Sequence, residues 1–135
     1  MQDRPSREEF LVGIARFLET DVVPALGEPL RFHTRVAANL LKIIERELHL
    51  EGSHLQKEAE GLRALLSRSS TAPGSTMDLK QEIREMNQEL CRRIREGQAD
   101  QSPWGQEVFQ HLKRTVIQKL EIANPPMIEK ALTKY

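Results

Sequence analysis

FHTRVAANLLKIIEREL, from Phe32 to Leu48, reads as a helix with a wide apolar face. At about 100° per residue, with Phe32 at zero, Ile43 and Leu50 fall within roughly 20°. Val36, Leu40, Ile44, Ala37, Leu48 and Leu41 follow, out to about 180°. A helix lying on a protein surface needs an apolar arc of about 100°. The wider arc predicts a helix over about 30–50 that is contacted from two sides, the central helix of a bundle. Glu47 and His33 fall inside the arc, near 60° and 100°. A buried carboxylate without a partner would take a proton rather than stay charged. Glu47 is therefore expected to be half buried, or paired with an arginine of a later helix. Arg35, Asn39 and Arg46 gather at one border of the arc, beside Lys42. Long side chains at such a border cover apolar surface while their charge stays in water. An arginine fork there also suits a carboxylate or phosphate. Arg35, Asn39, Arg46 and Glu47 are thus the candidate ligand-binding residues.

Upstream, Ser6 followed by Glu9 has the spacing of a capping box, and Phe10, Ile14, Phe17, Leu18 and Val22 recur at helical spacing behind it. Pro24 ends or kinks this first helix. Downstream, Gly52 is a plausible stop for the second helix. Ser53 and Gln56 then open a third, with Leu55, Ala59, Leu62, Leu65 and Leu66 as its stripe and Gly61 as a weak point. Residues 67–77, beginning SRSSTAPGST, read as a flexible loop inside the domain because they are rich in Ser, Thr, Pro and Gly and lack an apolar period. A fourth helix carries the narrow stripe Leu79, Ile83, Met86, Leu90 and Ile94, with Glu89 and Arg93 as a favourable pair four residues apart. Gly97 ends it. Ser102-Pro103 places a cap and a first-turn proline at the start of a fifth helix. Its expected face is Val108, Phe109, Leu112, Val116 and Leu120, and Asn124-Pro125-Pro126 stops it. The tail MIEKALTKY reads as one short amphipathic turn.

The expected fold is therefore all-α: an antiparallel bundle of about five helices in a single domain, residues 1–135. At 135 residues the chain is one domain in length, and aromatics make up only 4%, so the core is built from aliphatic side chains. The 20 Lys+Arg balance the 20 Asp+Glu, and formal net charge is zero. Neither half is basic, so the electrostatic footprint of a nucleic-acid binder is missing. One cysteine, Cys91, fits a reducing compartment. The N-terminus has no apolar segment of the signal-peptide kind, and no apolar run approaches the roughly 20 residues that span a bilayer. The expected location is the cytoplasm, with no membrane partner.

Catalytic signatures are missing. No phosphate loop of either common kind, no HExxH and no GxSxG occurs. His33, His49, His54 and His111 are scattered, and the nearest pair, His49 and His54, supplies too few ligands for a metal. Cys91 lies beside the stripe of the fourth helix and reads as structural, although Arg92 and Arg93 adjoin it. Trp104 is expected to cap the core. No catalytic residue, metal or cofactor is nominated.

The segments MQDRPS, FLETDVVPAL, RFHTRVAANLLKIIERELHL, ALLS, IREGQAD and HLKRTVIQKLEIANP, in that order, resemble an uncharacterised bacterial all-helical domain family. Its members are often encoded beside, or fused to, aminoglycoside-phosphotransferase-type proteins and acyl-CoA dehydrogenases. The resemblance implies no catalysis. It implies a non-enzymatic accessory or interaction domain, with a phosphotransferase-like or acyl-CoA dehydrogenase-like protein as partner. The alternative is a domain that binds a phosphate- or CoA-type anion through the basic edge of the second helix. The sequence is compatible with a homo-oligomer.

Overall fold

The computed structural model describes residues 4–69, 74–100 and 102–132. All of the regular structure among them is helical. Helix α1 spans Arg7–Phe17, a π-helical turn Leu18–Val22, α2 Val23–Ala25, α3 Leu30–Leu66, α4 Thr76–Arg95, α5 Pro103–Ala123 and α6 Pro126–Leu132. No helix of the described residues is long and apolar enough to cross a membrane.

Two of the three expected serine caps form, those of Ser6 and Ser102. Ser6 Oγ accepts the Glu9 N–H at 3.2 Å while Glu9 Oε2 accepts the Ser6 N–H at 2.6 Å, so the capping box satisfies two donors that the first turn leaves open. Ser75 and Ser102 cap α4 and α5 by accepting the N–H groups of Asp78 and Gly105. The π-turn after α1 has a local cause. Pro24 has no N–H, and its ring crowds the carbonyl four residues back, that of Thr20. The Thr20 hydroxyl donates to the Arg16 carbonyl at 3.0 Å, a back-bond that bends helices. The backbone widens by one residue, and the Val23 N–H bonds to Leu18 O.

Helix α3 corrects the expected division. The break at Gly52 and the new start at Ser53 do not occur; residues 30–66 form one 37-residue helix, about 55 Å long at 1.5 Å per residue. Ser53 Oγ donates to the Leu50 carbonyl instead of capping. The helix stops at Ser67, which is left-handed with φ 53°, and the Arg68 N–H returns to Arg63 O at 2.9 Å. Of the expected 67–77 loop, residues 76 and 77 belong to α4, and residues 70–73 lie outside the described residues.

Helices α1, α4 and α5 each pack on α3. The core lies on its C-terminal half, where Ala59, Leu62, Leu65 and Leu66 meet Leu79, Ile83, Met86 and Leu90 of α4 and Val108 of α5. The Arg63 guanidinium is buried there and grips Glu82 with two hydrogen bonds, Nε to Oε1 at 2.8 Å and Nη2 to Oε2 at 2.5 Å. Trp104 packs against this cluster and donates its Nε1 proton to Leu65 O at 3.0 Å. On the N-terminal half, α1 approaches α3 closely through small residues: Ala15 and Ala38 are both buried. Lys42 joins Glu19 across that contact at 2.6 Å.

Three expected apolar faces are turned otherwise. On α1, Phe10, Ile14 and Phe17 are exposed while Ala15 is buried. On α3, Ala38 is buried and Phe32, Val36, Leu40, Ile44 and Leu48 are exposed. On α5, Phe109, Leu112 and Val116 are exposed while Val108, His111, Thr115 and Gln118 are buried. Two expected stripes are buried as their periodicity predicts: Leu79 to Leu90 on α4, and Ala59, Leu62, Leu65 and Leu66 on the C-terminal half of α3.

Candidate functional site

Four of the five buried polar side chains among the described residues lie where α5 packs on α3. His54, Glu58 and Gly61 of α3 stand four and three residues apart, and His111, Thr115 and Gln118 of α5 repeat that spacing. Helical positions so spaced share a face, so the two polar rows meet along a seam. Glu58, His111, Thr115 and Gln118 are all buried. Gly61 makes room for the His111 ring: a Cβ on residue 61 would lie 2.4 Å from its Nδ1. Burial first, then the charges of Arg114 and Lys119, push the His111 imidazole below its ordinary value, against the pull of Glu58. It is held neutral because its charged form would lose hydration that the seam does not replace.

Glu58 accepts a hydrogen bond from Asn87 Nδ2 of α4 at 3.1 Å, with Lys119 Nζ 3.9 Å away. His54 Nε2 faces Glu121 Oε2 at 3.1 Å, and its Nδ1 is buried with no hydrogen-bond partner among the described residues. His54 and Gln118 also separate two grooves of opposite character. One, of about 260 Å³, is lined by Glu47, Glu51, Glu58 and Lys119 among others. The second, of about 560 Å³, carries Lys57, Lys113, Arg114 and Glu121. Carboxylates dominate the first and cations the second. No set of His, Cys, Asp and Glu among the described residues is arranged to hold a metal ion.

The four sequence candidates are not brought together. Arg46 is half buried, and its Nε donates to the Ile122 carbonyl at 2.7 Å. That carbonyl belongs to the last turn of α5, where no intrahelical partner exists, so Arg46 fastens the helix end. Arg35 is exposed, in a groove with Glu19, Val23, Pro24 and Arg31. Asn39 is exposed. Glu47 is exposed too, at the rim of the carboxylate groove, and among the described residues no arginine of a later helix pairs with it. His49 pairs with Glu45 and His54 with Glu121, so these two histidines serve different partners. Cys91 is exposed.

Sequence reading missed His111, Thr115 and Gln118 because the ridge Phe109, Leu112 and Val116 competes with them. The signal was present in Val108, which continues through His111, Thr115 and Gln118 at helical spacing.

A model for a domain of unknown function, DUF6285, matches residues 24–127. The chain belongs to the DUF6285 family. The DUF6285 match takes in all of α3, α4 and α5, and so both rows of the seam, while α1 lies ahead of it. No curated protein and no solved structure matches the chain.

Proposed function

We propose that this DUF6285 member is a non-enzymatic protein-interaction domain, cytoplasmic, built as an antiparallel bundle around α3. The observation that carries the reading is the orientation of α5. Its polar row packs inward while Phe109, Leu112 and Val116 face away from α3. Apolar side chains in a ridge of this kind mark a surface that another protein covers. The family resemblance supplies the partner's class, a phosphotransferase-like or acyl-CoA dehydrogenase-like protein. Co-purification with such a protein from the same genome is the test. We expect a stable complex, lost in a Phe109→Asp, Val116→Asp variant whose far-ultraviolet circular dichroism is unchanged. Failure of the unaltered chain to bind either class overturns the assignment.

One observation favours a second reading, an anion-binding domain. The groove beside His54 places Lys57, Lys113 and Arg114 together, a cationic set of the kind that takes phosphate groups. This groove replaces the Arg35, Asn39 and Arg46 edge as the place for such a ligand, since Arg46 is committed to Ile122. Thermal-shift titration with phosphate and coenzyme A tests it. A rise in melting temperature that Lys113→Glu abolishes supports it, and no rise at millimolar ligand removes it.

A further inference from the structure

We propose that the exposed stripe of α3 is the interface with a second copy of this chain, related by a two-fold axis that passes beside Leu40. The surface is separate from the α5 ridge, and the proposal goes beyond the interaction reading by naming an occupant.

Area is the first argument. The chain exposes 9833 Å². A compact monomer of 15.5 kDa exposes about 7,200 Å² by the size scaling of folded proteins. The excess of roughly 2,600 Å² belongs to the whole elongated chain and leaves room for the approximately 800 Å² per partner that a standard stable interface takes. Phe32, Val36, Leu40, Ile44 and Leu48 contribute to it, at 42 to 58% exposure. They follow one another at four-residue intervals, so they form one continuous ridge on the helix surface.

The stripe is also complementary to itself. A two-fold axis at Leu40 sets Leu40 against its own copy, Val36 against Ile44 and Phe32 against Leu48, so a smaller side chain meets a larger one in each unlike pair. Such isologous pairing is the rule for two-fold dimers. The same operation sets Glu47 of one copy against His33 of the other. Both lie within the apolar arc, both are exposed, and neither has an ion-pair partner among the described residues of its own chain. The acid that breaks the apolar arc thus meets a base, and the repeated charge-to-imidazole contact fixes the register.

Sedimentation equilibrium on the full chain tests the proposal. We expect twice the mass of the 15.5 kDa chain at micromolar concentration, and the single-chain mass for Leu40→Asp. Leu40 is exposed within the chain, so this variant keeps its helical circular dichroism. Glu47→Lys is expected to raise the dimer dissociation constant about fivefold, and Glu47→Lys combined with His33→Glu to restore most of the loss. In a Cys91→Ser background, Leu40→Cys forms a disulfide-linked dimer on mild oxidation, and Met77→Cys, exposed on α4, does not. A single-chain mass for the unaltered protein overturns the proposal, as does a dimer that survives Leu40→Asp or cross-links equally through Met77→Cys. The interaction reading is scored apart from this one, because Leu40→Asp changes mass while Phe109→Asp with Val116→Asp changes partner capture.

Discussion

Residue 61 is a glycine inside a helix, where an alanine would ordinarily be better by about 1 kcal/mol. The His111 ring supplies the reason, since it occupies the space a Cβ would need. Gly61→Ala is therefore expected to destabilise the protein by about 1–3 kcal/mol, the cost of overpacking a filled site. The loss should shrink in a His111→Ala background, as urea denaturation of the four-member cycle would show. Arg63 and Glu82 make a second residue-level case. The Arg63 hydrogen bonds hold the Glu82 carboxyl below its usual range. Glu82→Ala leaves a buried guanidinium without its counter-charge and is expected to cost about 3 kcal/mol. Lys42→Ala breaks the Glu19 pair, both partners of which are more than two-fifths exposed, and is expected to cost less than about 1 kcal/mol. Neither the room made by Gly61 nor the Arg63–Glu82 pair is legible in the sequence, because both depend on which helices meet. The Ser6 and Ser102 caps are legible, because a cap is decided within four residues, whereas Ser53 carries the same signature inside an uninterrupted helix.

Among the elements, α4 was readable almost completely. Its narrow stripe admits only one buried side, and Leu79, Ile83, Met86 and Leu90 take it. Helices α1 and α5 and the N-terminal half of α3 have apolar residues around more of their circumference. Periodicity then names the side chains that gain from burial without naming the surface that buries them. The small residues Ala15 and Ala38 let α1 come close to α3 on a side otherwise occupied by Lys42 and Glu45. Gly52 was misread for a different reason. A glycine is a helix stop where the backbone turns left-handed, and here the turn comes at Ser67. A Cβ at residue 52 would meet nothing within 4 Å, so Gly52→Ala is expected to raise stability by about 1 kcal/mol, measured as a higher urea midpoint at unchanged slope. Substitution of two glycines in the same helix thus has opposite signs.

At the scale of the molecule, stability should be unevenly spread. The apolar core lies on the C-terminal half of α3, whereas the N-terminal half meets α1 through Ala15 and Ala38. Amide exchange is expected to be slower over 55–66 and 79–90 than over 7–17, since local opening follows the density of buried contacts. The pH response belongs to this scale as well. His111 in the unfolded chain takes a proton near 6.5, and in the fold it does so only at lower pH. Between those values the unfolded state binds more protons, so stability present above pH 6.5 declines as pH falls. Thermal unfolding from pH 8 to 5 should show that decline, and His111→Gln should flatten it. Glu82 adds a second loss below its ordinary value of 4.5, by the same sign, because its folded carboxyl releases its proton more readily than the unfolded one.

The π-turn at Leu18–Val22 has a bearing on how this part of the chain tolerates insertion and deletion. An i→i+5 turn holds one residue more than an α-turn, and one residue is worth about 100° of rotation. Loss of a single codon within 18–22 would let the chain run as plain α-helix up to Pro24. Because the wide turn absorbs its extra residue within itself, α1 would keep its Ala15 side toward Ala38. A one-residue deletion within the π-turn is thus expected to leave the packed face of α1 unchanged, whereas the same deletion within 7–17 would turn the residues ahead of it by about 100° and carry them off that face.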